Sequence, residues 1–432
     1  METVALRIYG RHDLRLEKFE LPDPANDEIV AEVVSNSICM STHKGAVLGP
    51  EHKRVPDDVA ERPTILGHEF AGRILQVGAK WADRFEPGQK FGIQPALMYE
   101  GSTDAPGYSY RWIGGNAHKI IIPQEVMVMD CLLPYEGDAF FKASLAEPMS
   151  CIVGAFRAQY HHPDPADYVH EFGIIESGNC ALLASAGPMG QGAIDFALHG
   201  PRRPRLLLVT DISPERIERT RRLFTQQDAA KNGVKLVYVN PAELPGGPGG
   251  LVDCVRDLTG GEMMDDVFVY FPNAAVIEQG DAMLALDGCL NFFAGPQDRA
   301  FKAPVNFYNV HYERHHLVGT SGGNTTDMLI SLELMAEGRI NPAVMITHVG
   351  GLDSAADTIL RLPEIHGGKK LVYTHVRMPM TAIAEFAERA ECADEPLKGV
   401  YAELARLTSR DGLWTAEAEE FLLSRPEVAF EM

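Results

Sequence analysis

Cys180-Ala181-Leu182-Leu183-Ala184, followed by Ser185-Ala186-Gly187-Pro188-Met189-Gly190 and an apolar-periodic run through Phe196, decides the architecture. A short apolar run breaks at glycines and reopens as a helix, which reads as strand, tight turn, helix. The N-terminus of such a helix has free backbone N–H groups and favours anions, so it is where a dinucleotide pyrophosphate sits. Gly187, Pro188, Met189 and Gly190 are therefore the candidate cofactor-binding turn, although Ser185 stands where the fingerprint has its first glycine. A lone glycine motif is weak evidence; its place between an apolar strand and a helix is the context it needs.

Five further apolar runs follow: Leu206–Thr210, Leu236–Val239, Val267–Phe271, Leu290–Ala294 and Leu317–Gly319. Helical patterns at Pro214–Phe224 and Ala275–Leu286 lie between some of them. Continuous apolar strands alternating with helices predict a parallel sheet covered on both faces, a doubly wound α/β domain over residues 156–320. The second run ends in Asp211, whose carboxylate would accept both ribose hydroxyls and repel a 2′-phosphate, favouring NAD(H) over NADP(H). Arg216, a turn further on, either softens that preference or is a solvated helix charge.

The chain before this domain, residues 1–155, reads as β-rich, with β-branched runs at Glu28–Val34, Gly72–Val77 and Lys119–Ile122. Residues 321–432 return to mixed structure. A helix is expected near Asp327–Glu337, and a charged tail carries helical segments at Thr381–Cys392, Leu397–Leu407 and Thr415–Leu423, with Thr415 as an N-cap. The stretch Pro241–Gly250 reads as a surface loop inside the α/β domain.

The net charge of −21 argues against a broad nucleic-acid surface, though a local basic pocket could still take a phosphorylated substrate. No run of about 18 unbroken apolar residues suggests a membrane span. Met1–Arg7 lacks the basic start and apolar run of a signal peptide. Seven scattered cysteines without CxxC spacing fit a reducing cytoplasm better than a disulfide framework.

Chemistry concentrates in three short segments: Cys39-Met40-Ser41-Thr42-His43, Gly67-His68-Glu69-Phe70-Ala71-Gly72 and Ala146-Glu147-Pro148-Met149-Ser150. One thiolate, one imidazole and one or two carboxylates suit Zn²⁺, and three protein ligands leave a position open for chemistry. Alone, Cys39 also fits a small buried apolar residue, and Glu147 a helix-start carboxylate.

Gly67-His68-Glu69 with Ala71-Gly72, then Val77-Gly78, then Pro87-Gly88-Gln89-Lys90-Phe91, resembles the zinc-dependent medium-chain alcohol and polyol dehydrogenases across roughly residues 4–376. The resemblance implies a GroES-like β-barrel catalytic domain joined to a Rossmann domain. It implies Cys39, His68 and Glu147 as zinc ligands, with Glu69 a direct or alternating ligand. It places at Ser41 the hydroxyl that exchanges a proton with the zinc-bound alcohol. Thr42 stands where the family usually has Asp, and Lys44 where many members carry a relay His, although His43 is adjacent. Ser41, Glu69 and Lys44 are the candidate catalytic side chains, and Lys44 could instead meet a phosphate of cofactor or substrate. The region in which relatives hold a second, structural zinc on four cysteines, Ile93–Trp112, contains no cysteine; one catalytic zinc is expected, and an ordered loop in place of the other.

Longer stretches, among them Asp104–Ser109, Asp287–Pro296 and Gly319–Asn324, resemble the L-sorbose-1-phosphate reductase branch of that family. The branch implies NAD(H)-dependent reduction of L-sorbose 1-phosphate to D-glucitol 6-phosphate. An unphosphorylated polyol dehydrogenase and a non-catalytic nucleotide-binding protein are the competing readings. The other expectations are a small sugar phosphate or polyol as substrate, a homo-oligomer, a cytoplasmic location, and neither nucleic-acid nor membrane partners. His162–Pro165 reads as an exposed turn and His315-His316 as structural, while Arg299, Lys302 and Arg314 are weak candidates for a substrate phosphate.

Overall fold

The computed structural model describes residues 1–164, 166–392, 396–410 and 412–430. The chain divides into two compact units: Met1–Glu147 with Met335–Glu337 and Ile346–Met432, and Pro148–Leu334 with Gly338–Met345. The helix Ala146–Ala158 carries the chain from one unit into the other, so the first division falls at its start rather than at residue 155.

The second unit holds six parallel strands ordered, by place in the chain, 3-2-1-4-5-6. They are Asn179–Leu183, Leu206–Thr210, Lys235–Val239, Met264–Val269, Leu284–Phe292 and His316–Gly319; each overlaps its expected run, and the fifth begins at Leu284 rather than Leu290. Burial on both faces explains why they read as unbroken apolar runs: Leu182, Leu208, Val267 and Phe268 are all fully buried. Each such side chain contributes about 1.5–3 kcal/mol relative to an exposed one. The sheet order reverses between the first and fourth strands, the position where doubly wound folds bind ligands. The fold is α/β with a Rossmann-type sheet.

Two expectations are corrected in this unit. The helix expected over Ala275–Leu286 stops at Ala282; Met283 ends it, buried, and Leu284 begins the next strand, where it is buried as strand core. The turn His162–Pro165 is exposed only in part, because His162 is buried. His161 pairs in a two-stranded ribbon with Nε2 3.1 Å from Asp266, and His162 is buried, while Pro163 and Asp164 are exposed and Pro165 lies outside the described residues. His316 is structural, with Nε2 2.9 Å from Asp287 Oδ1.

The first unit is built on Ile29–Ile38, which pairs antiparallel with Glu69–Val77, Lys119–Ile122 and Lys369–Tyr373 in an eight-stranded sheet. Glu2–Gly10 anchors a separate three-stranded sheet. The C-terminal tail packs into this same unit: helices Lys398–Thr408 and Ala416–Leu423 bury Tyr401, Leu404 and Leu422, and the loop between them buries Trp414. Thr415 caps the last helix through Ala418 N, as expected. Glu419 accepts hydrogen bonds from Phe140 N, Phe141 N and the Tyr373 hydroxyl, tying the tail to the start of the helix Phe140–Ser144. The helix expected from Thr381 begins only at Phe386, because Thr381–Ala382 joins the sheet edge beside Ile346–Gly351. Among the described residues, no helix is long and apolar enough to cross a membrane.

Candidate metal centre and nucleotide turn

Two neighbouring strands deliver the metal-ligating candidates. Cys39 directly follows the strand Ile29–Ile38 and caps the helix Met40–Leu48, while His68 directly precedes the strand Glu69–Val77 paired beside it. Gly67 holds φ +104°, and a Cβ there would come within 3.0 Å of the Asn36 and Asn116 amides, so the turn that aims His68 requires glycine.

The ligand atoms of Cys39, His68 and Glu69 lie within 4.8 Å of one another. Cys39 Sγ is 3.6 Å from His68 Nε2. A tetrahedral zinc with Zn–S of about 2.3 Å and Zn–N of about 2.0–2.1 Å spans its sulfur and nitrogen ligands by about 3.6 Å, so this pair fits the ion. Thr42 Oγ1 lies 3.2 Å from His68 Nδ1. With metal on Nε2 the proton must sit on Nδ1, and Thr42 accepts it: the residue found where the family usually has Asp fixes the imidazole tautomer with a hydroxyl. Ser41 Oγ is 2.8 Å from Cys39 Sγ and 3.3 Å from His68 Nε2, inside the centre. His43 instead bonds the Ile359 carbonyl at 2.8 Å, and Lys44 is half-buried on the same short helix.

Glu69 is both a member of the tight group and one half of a buried ion pair. Lys369 Nζ donates to its two carboxylate oxygens at 2.5 and 2.7 Å. Burial alone would raise the Glu69 carboxyl, but the ammonium outweighs it and holds the group below its ordinary value. Glu147 sits in the first turn of Ala146–Ala158, outside the tight group. Burial, with the Glu69 charge adding to it, pushes its carboxyl up to about 7. Burial pushes the Cys39 thiol up and the His68 imidazole down, the latter opposed by Glu147 and Glu69. Metal binding at such a site must release protons, since thiolate and carboxylate are the ligating forms.

Sequence reasoning missed Lys369, and it missed Tyr108. The loop Ile93–Trp112 brings Tyr108 in, fully buried, with its ring 4.9 Å from that of His68. A tyrosine in a cysteine-free loop gives no local sign of such a destination, and neither does a lysine 300 residues from its partner.

In the second unit the glycine turn forms as read, with Gly187 at the N-cap of the helix Pro188–His199. A Cβ on Gly190 would fall 1.8 Å from the Ser185 carbonyl oxygen, so glycine is required for packing. Among the described residues a Cβ on Gly187 would meet nothing within 4 Å, so no neighbour there explains that glycine, and the open face suits close approach of a pyrophosphate. The left-handed residue of the turn is Ala184, at φ +54°, rather than Ser185, which is why serine is tolerated in place of the first glycine. Asp211 is buried and accepts from Ala186 N at 3.2 Å and Ser213 N at 2.9 Å, leaving lone pairs for further donors. Arg216 is exposed, as are Arg299 and Lys302; Arg314 is half-buried.

A family model described as the alcohol dehydrogenase GroES-like domain matches residues 25–131. The chain is 49% identical to the mannitol-1-phosphate 5-dehydrogenase of Aliivibrio fischeri over 99% of each chain. It is 47% identical to the L-sorbose 1-phosphate reductase of Klebsiella pneumoniae over 98% of each. Among solved structures, the 2R,3R-butanediol dehydrogenase of Bacillus subtilis superposes with a TM-score of 0.67 at 19% identity, covering 86% of this chain and 99% of that one.

Proposed function

The chain belongs to the zinc-dependent medium-chain alcohol and polyol dehydrogenases, and from that premise we propose that it interconverts a ketose phosphate and a hexitol phosphate with NAD(H), reducing L-sorbose 1-phosphate to D-glucitol 6-phosphate. The observation that carries the chemistry is the Cys39–His68 pair at the span of a tetrahedral zinc, with the Ser41 hydroxyl within reach of both. Similarity over nearly the whole chain to two sugar-phosphate oxidoreductases supports the substrate class.

When bound, zinc supplies Lewis-acid polarisation of the substrate oxygen and the nicotinamide supplies the exchangeable hydride. The residues do the rest. Cys39, His68 and Glu147 would hold the metal, with Glu69 beside them, and Thr42 keeps the His68 proton on Nδ1. Ser41 Oγ carries the proton that the product oxygen takes up in reduction and returns in oxidation. Lys369 neutralises Glu69, so a second buried carboxylate beside the ligands does not compete for that proton. On the nucleotide side, Gly187–Gly190 receive the pyrophosphate and Asp211 selects against a 2′-phosphate.

The experiment is a comparison of kcat/KM for oxidation of D-glucitol 6-phosphate and of D-glucitol with NAD. The phosphate ester should be preferred by at least tenfold. Equal or better turnover of D-glucitol would replace this reading with an unphosphorylated polyol dehydrogenase.

A further inference from the structure

Beside the metal centre, in the same unit, lies a group of cations that the proposed chemistry does not use. Lys44 is on the helix that follows Cys39, and Lys53 and Arg54 come just after the short turn that ends it. All three act, together with His68, on the half-buried His52, whose imidazole is lowered to about 4 by burial first and by these charges next. His52 is therefore neutral at physiological pH and does not add to their charge. Among the described residues none of the three cations has a carboxylate partner, in a chain of net charge −21. Acidic side chains are abundant, yet none is spent here.

Arg54 is half-buried and its Nε is buried without an acceptor. Its guanidinium carbon lies 5.6 Å from the ring centre of Tyr108. Tyr108 in turn stacks on His52 at 5.4 Å and leans on the metal-ligating candidate His68 at 4.9 Å. The Tyr108 hydroxyl is fully buried beside Cys39 and Ser41, and among the described residues it has no hydrogen-bond partner apart from the neighbouring Ser41 hydroxyl. The Arg54 Nε–H is thus a buried donor left unanswered, next along from Tyr108 and the candidate metal ligands. Such a donor costs about 1–3 kcal/mol, more when charged, unless something outside the chain accepts from it.

We infer that Arg54, supported by Lys44 and Lys53, is the subsite for the phosphate monoester of the substrate, with the Tyr108 hydroxyl meeting a substrate oxygen nearer the reacting carbon. The guanidinium fork matches phosphate geometry and its charge is already partly desolvated, which strengthens the pairing. The order metal ligand, Tyr108, Arg54 matches a substrate whose phosphate is borne close to its carbonyl. This subsite deepens the sugar-phosphate reading and rests on it, but the cations could in principle serve the cofactor's phosphates, so the test separates the two.

Zinc-loaded wild type, Arg54→Ala and Arg54→Lys are compared in D-glucitol 6-phosphate oxidation, and thermal midpoints are measured with and without inorganic phosphate. Arg54→Ala should raise KM for D-glucitol 6-phosphate about 10- to 100-fold, the worth of a charge-assisted pair. KM for NAD should stay within about threefold and Arg54→Lys should recover part of the loss. Inorganic phosphate should raise the thermal midpoint of wild type and not of Arg54→Ala. A rise in KM for NAD with unchanged KM for the sugar phosphate assigns the cations to the cofactor and overturns the inference. Unchanged kinetics and unchanged phosphate stabilisation in Arg54→Ala overturn it as well. If wild type prefers D-glucitol while phosphate stabilisation still depends on Arg54, the substrate reading fails and the anion site stands.

Discussion

Replacing Lys369 with Met strands the Glu69 carboxylate. The side chains are 8% and 2% exposed, and the ammonium answers both carboxylate oxygens, so no water-facing route compensates the loss. Breaking such a pair from one side costs about 3–5 kcal/mol if the remaining charge stays. The carboxyl can instead take a proton. Protonating a carboxyl of ordinary value 4.5 at pH 7 costs about 3.5 kcal/mol at about 1.4 kcal/mol per pH unit, which caps the penalty there. All three tryptophans, Trp81, Trp112 and Trp414, lie in the unit that holds this pair, so their fluorescence reports its melting. At about 2–4 °C per kcal/mol, EDTA-treated Lys369→Met should melt about 6–14 °C below wild type at pH 7. A raised folded-state pKa gives stability that is present below the unfolded pKa and lost as pH rises, so the deficit should shrink as pH falls toward 4.5. Glu69→Gln with Lys369→Met should recover most of the loss, giving a coupling of about 2 kcal/mol or more. A deficit under 2 °C (about 1 kcal/mol on the same scale), an equal deficit at both pH values, or a double variant no better than the sum of the singles would refute the argument.

Ser41→Ala should retain zinc and cofactor and slow the chemical step by about 10²–10⁴-fold in single-turnover hydride transfer, since the hydroxyl ligates neither. Near-normal transfer would move the proton donor to another group, with His43 or a water the first candidates. Asp211→Ala should narrow or invert the preference for NAD over NADP, measured as the ratio of kcat/KM values; a wild type that favours NADPH would sink the assignment and point to Arg216. His118 is fully buried, and burial first and the neighbouring His375 next lower its imidazole to about 4, against a smaller raising contact with the Thr374 backbone. Its folded pKa is depressed, so the unfolded chain binds the proton first and stability falls as pH drops from about 6.5 toward 4, by up to about 3 kcal/mol. His118→Asn should flatten that part of the stability–pH profile in tryptophan-monitored melts, and an unchanged slope would show that other groups cause it.

The sequence displayed its sheets more clearly than its site. Six apolar runs and a glycine turn are local signals, and each strand they mark overlaps its expected run. Errors came where one local pattern served another element. Leu284 extends a helical period on paper but starts a strand, and Thr381–Ala382 joins a sheet edge before its helix begins. Cys39, His68 and Glu69 were legible because each sits in a short motif next to a strand end. Lys369, Tyr108 and the role of Thr42 were not, because what they do depends on contacts made across the fold: a buried ion pair spanning 300 residues, a ring stacked through a loop, and a hydroxyl bonded to an imidazole two strands' connectivity away. The tail helices were visible from their charge and capping; that they bury Trp414 in the barrel unit was not.

X-ray absorption at the zinc edge of the purified chain, with metal content measured on the same sample, tests the central claim most directly. One zinc per chain is expected, with one sulfur ligand at about 2.3 Å and nitrogen or oxygen ligands at about 2.0–2.2 Å, all lost in Cys39→Ala. A sulfur-free or four-sulfur shell, two zincs per chain, or a Cys39→Ala protein that keeps its zinc and its activity would contradict it.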